Sequence, residues 1–133
     1  MDFLKSRSEP IYALTRIVVG FLFLCHGVQK FYGIATGAES QMPAAMLWGA
    51  ALIESGAGAL VMIGWFTSIA GFLASGMMAV AYFMVHHSFA TAPEGLLPLF
   101  NKGELAALYC WVFLMFAAKG PGIWSVDGAA AGS

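Results

Sequence analysis

Glu54 stands inside the oily run AAMLWGAALIESGAGALVMIG, and no other Asp, Glu, Lys or Arg occurs between Glu39 and Glu94. A lone carboxylate in such a run needs a partner, because a charge at the centre of an apolar helix costs about 2.5–3.5 kcal/mol on insertion scales. Two chemistries suit it. It can handle protons or hydrogen-bond the head group of a bound ligand, or it can serve as a structural tether to a histidine or arginine on a neighbouring helix.

The other polar groups worth weighing are spread along the chain. Arg16 and Lys30 share one helical face, being nearly four turns apart at 3.6 residues per turn. His26 sits one turn before Lys30. A guanidinium at Arg16 could hold Glu54, an anionic lipid or an anionic sulfur species. It also stands near the start of its run, where snorkelling to the head groups is the simpler reading. His26, His86 and His87 offer imidazoles that titrate near neutrality. Adjacent helical positions point about 100° apart, so His86 and His87 cannot both face one site. No Cys/His spacing matches a zinc signature, and no metal site is expected. Cys25 and Cys110 have similar depths in their runs. A reversible thiol pair would suit redox sensing, but small apolar filler is the simpler reading.

The elements that position these groups follow from composition. The chain has 133 residues, 60% hydrophobic and 10% charged, whereas soluble domains carry about 25% charged residues. A chain this short cannot bury so much apolar surface in one core, so its expected solvent is lipid. The net charge of −1 without a basic block excludes an electrostatic nucleic-acid partner.

Four low-charge windows approach the length that crosses a hydrocarbon core of about 30 Å: 11–29, 44–63, 66–85 and 104–118. Within lipid a segment must satisfy its own backbone, so these are helices. The expected fold is all-α, an antiparallel four-transmembrane-helix bundle formed by one membrane domain, 1–128, with a loose tail at 129–133. Lys5 and Arg7 precede an apolar stretch, as in a signal peptide. Arg16 interrupts that stretch and no small-residue cleavage site follows, so an uncleaved first helix is favoured.

An even number of crossings puts both termini on one side, with Lys5, Arg7, Arg16 and Lys119, and leaves Lys30 and Lys102 opposite. The positive-inside rule then places both termini in the cytoplasm. Glu54 falls about 15 Å into its helix, near the midplane. His26, Lys30, His86, Asn101 and Glu104 fall toward the far side. Glu54, His26, His86 and Glu104 form the expected polar site, with Arg16, Lys30 and Asn101 as charge or hydrogen-bond partners.

These residues also carry a resemblance. Arg16, Gly20, Gly27 and Lys30, then Glu54, Gly58 and Gly64, then His86, then Asn101, Gly103 and Glu104, and the closing GPGIWSVD resemble the pattern of the DoxX family of small bacterial membrane proteins. The resemblance implies a four-helix bundle in the bacterial plasma membrane and an association with redox physiology, since relatives include membrane subunits of thiosulfate:quinone oxidoreductases. The chain carries no haem, flavin or iron–sulfur motif. The expected function is therefore a redox- or quinone-linked subunit with no intrinsic cofactor and a quinone as the candidate ligand. The alternative is an accessory subunit that packs against a larger membrane complex without catalysis. Expected partners are membrane lipid and other membrane subunits or further copies of the chain.

Overall fold

The computed structural model describes residues 2–40, 42–88 and 93–132, and among them it contains helices and turns but no strand. The helices are α1 (Asp2–Lys5), α2 (Ser8–Thr36), α3 (Ala44–Ile63), α4 (Thr67–Ala81), α5 (Glu104–Lys119) and α6 (Val126–Ala131). The last turns of α4 widen into a π-helical segment, Tyr82–His86. Among the described residues three stretches, Ser8–Thr36, Ala44–Ile63 and Thr67–His86, are long and apolar enough to cross a membrane. At 16 residues, α5 spans about 24 Å.

The first helix outruns its window of 11–29 at both ends. Pro10 lies within its first turn, where no intrahelical partner is waiting for the missing N–H. The far end continues past Lys30 to Gly37, which adopts φ 69° and turns the chain in the left-handed region. There the Ala38 amide donates to Gly33 O at 2.9 Å, the 6→1 closure of a glycine-terminated helix. A lysine ends an apolar run without ending a helix. Gly64 closes α3 in the same manner, at φ 72°.

Glycine sets the α2–α3 seam. A Cβ at Gly20 would lie 2.6 Å from Met62 N, one at Gly58 2.5 Å from Leu24 N, and one at Gly27 would strike Ser55. Without side chains at these positions the backbones approach closely, as small residues allow in lipid. Rising numbers on α2 meet falling numbers on α3, so the pair runs antiparallel. A second antiparallel pair joins α4 to α5, where Ser75 Oγ donates to Cys110 O at 2.8 Å.

Aromatic rings link the pairs. Phe23 of α2 meets Phe113 and Tyr109 of α5 with centroids 4.5 and 5.3 Å apart, and Tyr12 meets Phe116 edge-on at 5.7 Å. The Tyr12 hydroxyl donates to Gly120 O at 2.6 Å. Phe72, Phe83 and Trp111 point outward and stay exposed, a surface suited to lipid.

The end of the chain departs from expectation. Ser125 accepts from Gly128 N at 3.1 Å and caps α6, which stays helical to Ala131 through residues expected to be loose. Residues 120–127, which lead into and begin α6, fold back against α2, α3 and the start of α4.

Candidate functional site

Gly27 lets α2 and α3 close together, and one turn further along α2 Lys30 reaches Glu54. The Lys30 Nζ to Glu54 Oε2 distance is 2.6 Å, and the Glu54 side chain is 5% exposed against 24% for Lys30. A carboxylate so enclosed by apolar helices keeps a charge only beside an opposite one. The tether was expected at a histidine or arginine. It is a lysine: Lys30 lies one turn past Gly27 on α2, and its long side chain reaches Glu54 across the seam.

The pair forms part of the wall of a cavity of about 470 Å³ between α2, α3, α4 and α5. Its polar lining is Lys30, Glu54, His26, His86, Lys102 and Tyr109, and the rest is apolar, including Phe23, Met46, Ile53, Met77 and Val85. His26 stands edge-on to the Tyr109 ring, centroids 6.0 Å apart. The π-helical turn carries His86, whose Nδ1 lies 3.2 Å from Asn101 O. His87 packs instead against the rings of Tyr82 and Phe83, from an extended backbone (φ −80°, ψ 138°) that ends the π-helical turn.

Of the four residues expected to share a site, the structure gathers Glu54, His26 and His86 at the cavity and leaves Glu104 out. Glu104 is exposed on the outer face of α5, beside a smaller groove lined by Pro98, Leu99 and Leu108. Helical phase explains it. The inward stripe of α5 is Ala106, Tyr109, Phe113 and Phe116, and Glu104 lies two residues off it, about 200° around.

Asn101 works on the loop. Its Nδ2 donates to the Tyr82 hydroxyl at 3.3 Å and to Gly95 O at 3.2 Å, and its Oδ1 accepts from Gly103 N at 2.8 Å. It is placed to hold the entrance of α5 and the carbonyl that meets His86.

Arg16 is at the other end of the molecule and fully buried, which overturns the snorkelling reading. One terminal nitrogen donates to Val61 O at 2.6 Å and Met62 O at 2.8 Å. The other donates to Trp124 O at 2.7 Å and Ile123 O at 3.4 Å. The guanidinium thus binds carbonyls of the last turn of α3 and joins them to the returning tail. It does not meet Glu54. The cysteines are both free thiols; Cys25 is exposed, and Cys110 lies with its Sγ 3.6 Å from Ser75 Oγ.

Two cavity residues escaped the sequence reading as site members. Tyr109 belongs to the inward stripe of α5, which its i, i+3, i+4 spacing marks. Lys102 sits just before α5 with φ 60°, a conformation that sequence does not announce for lysine.

The order of these residues along the chain agrees with a family pattern, and the family model for DoxX matches residues 11–87. The chain belongs to the DoxX family. The matched segment holds Arg16, Lys30, Glu54 and His86, and ends before Asn101. Likeness beyond it comes from whole-chain relatives. An uncharacterised protein of Haemophilus influenzae (strain Rd) is 39% identical over 132 residues, covering 96% of each chain. The inner membrane protein YqjF of Escherichia coli (strain K12) is 29% identical over 129 residues, covering 93% of this chain and 95% of its own. No solved structure matches the chain. This DoxX protein is a membrane protein with an inner-membrane relative and an ion pair on the wall of a cavity between its helices.

Proposed function

We propose that this DoxX protein is a quinone-linked subunit of a redox assembly in the bacterial plasma membrane. The observation that carries the reading is the Lys30–Glu54 pair on the wall of a mostly apolar cavity of about 470 Å³. Ligand sites are commonly about 300–1,000 Å³, apolar, with a few convergent polar groups. A quinone ring is flat and oily with an acceptor oxygen at each end. Lys30 Nζ is a charged donor for one such oxygen, and Tyr109, His26 and His86 offer further donors around the same space. Reduction of a quinone to a quinol takes two electrons and two protons. Glu54 and the histidines are suited to pass the protons, while the electrons come from a partner protein, since the sequence has no redox-cofactor motif.

In this reading α5 is a fourth crossing and both termini lie in the cytoplasm. Lys5, Arg7 and Lys119 support that orientation. Reporter fusions at each terminus should both read cytoplasmic.

The test is quinone carried through gentle purification from native membranes, then rebinding in lipid nanodiscs. Wild type should retain quinone. Glu54→Gln and Lys30→Met should lose it while the assembly keeps its native mass. Wild type without quinone, or variants that bind as wild type does, would overturn the proposal. Loss of assembly with no quinone effect would mark the chain as a structural accessory.

A further inference from the structure

We infer that the cavity takes its ligand sideways from the bilayer, through a cleft between α3 and α4, and that the ligand class is one with a long hydrocarbon tail left lying in that cleft. The inference rests on the proposed quinone reading for the head group and adds the tail and its route.

Among the described residues the α3–α4 seam differs from the others in being held by apolar packing alone, around Ala57, Val61, Ala70 and Ala74. The α2–α3 seam is closed by backbone approach at Gly20, Gly27 and Gly58. The α4–α5 seam is closed at Gly71, where a Cβ would lie 3.0 Å from Phe113 O, and by the Ser75 bond to Cys110. Rings of Phe23, His26, Tyr109 and Phe113 fill the space between α2 and α5. Between α3 and α4, no hydrogen bond or ring contact among the described residues bridges the two helices. They are tied at one end by the short turn through Gly64 and Phe66 and both line the cavity towards the other.

The walls on that side are built for a chain. Met46, Gly49 and Ile53 lie on one stripe of α3, and Met77, Val80 and Ala81 face the same cavity from α4. Ile53 and Val80 are also exposed on the outer surface, so the lining continues from the cavity to the lipid side. Methionine is unbranched and adapts to irregular partners. Four of the chain's eight methionines, Met42, Met46, Met77 and Met78, line this one cavity. Gly49 opens the wall further, since a Cβ there would meet nothing within 4 Å. Unlike Gly20 or Gly58 it is not required by helix packing. A head group held at Lys30 and Glu54 would leave its tail on this path, and an isoprenoid tail fits it without a polar atom to satisfy.

Gly49→Leu tests the route, because the new side chain grows into the cleft without striking a neighbour at its Cβ. The full chain in nanodiscs is titrated with two quinones that share a ring, one bearing a single isoprene unit and one bearing eight. Wild type should bind the long-tailed form about tenfold or more tightly than the short one, and Gly49→Leu should remove most of that difference while leaving the short form within about twofold. Gly76→Leu, at a second open glycine of α4 outside the cavity lining, should bind as wild type does. Equal binding of both tails by wild type, or a long-tail preference untouched by Gly49→Leu, would overturn the inference and leave the quinone reading standing. If neither quinone binds but an acyl-chain phospholipid is retained and lost in Gly49→Leu, the cleft stands and the quinone reading falls.

Discussion

Lys30 Nζ and Glu54 Oε2 meet at 2.6 Å across the α2–α3 seam, joining the end of one apolar run to the middle of the next. Breaking a buried pair strands the surviving charge, at about 3–5 kcal/mol, whereas replacing both partners by apolar groups of like size is often neutral. Lys30 keeps some exposure, which favours the lower end of that range. Glu54→Leu and Lys30→Met should each destabilise the detergent-solubilised protein by about 3 kcal/mol, and the double variant should recover most of the loss. Thermal unfolding of the four proteins reads the coupling. Additive losses would mean that the pair does not hold the seam.

Glycine positions separate sharply by what surrounds them. A Cβ at Gly58 would lie 2.5 Å from Leu24 N and 2.9 Å from Gly20 O, while one at Gly56 would meet nothing within 4 Å. Gly58→Ala should therefore cost about 1–3 kcal/mol, as overpacking does. Gly56→Ala should be neutral or stabilise by up to about 1 kcal/mol through helix propensity. Melting temperatures of the two variants, measured side by side, check the contrast.

The sequence made the helices and the lone carboxylate legible because both depend on local composition. Glu54 had to find a partner, and helix phase alone could have named the stripe that includes Tyr109 and excludes Glu104. Arg16 was different. Its depth suggested snorkelling, and two of its four acceptors belong to Ile123 and Trp124, 107 and 108 residues away. No local pattern reveals a carbonyl that arrives from the other end of the chain. The π-helical turn that carries His86 and the positive φ of Lys102 are likewise settled by tertiary packing.

Asp127 supplies a helix cap from a distance. Its two carboxylate oxygens accept from Phe66 N at 3.1 Å and Thr67 N at 3.2 Å, at the start of α4, and its own amide donates to Gly64 O at 3.0 Å. Removing a cap acceptor costs about 0.5–2 kcal/mol, and the carboxylate also opposes the positive end of the helix dipole for about 0.3–1 kcal/mol. Asp127→Ala should lose both contributions, whereas Asp127→Asn keeps one acceptor oxygen and loses the other together with the charge. Amide hydrogen exchange at residues 66–70 should quicken in that order, and equal protection in all three proteins would remove Asp127 from this role.

Arg16 binds the returning tail to α3 through a planar fork that lysine does not have. Its two terminal nitrogens serve four carbonyls, two on α3 and two at Ile123 and Trp124. A lysine at this position keeps the charge but offers a single ammonium on a shorter reach, so it cannot bridge both sets. Hydrogen bonds from a charged donor contribute about 1.5–3 kcal/mol each, and acceptors left buried and unpaired add to the loss. Arg16→Lys should therefore release residues 120–132 while the helices stay folded, and Arg16→Met should release them further. Limited proteolysis in detergent reads this as new cleavage confined to the tail. If Arg16→Lys keeps the tail as resistant as wild type, the fork geometry is not what holds it.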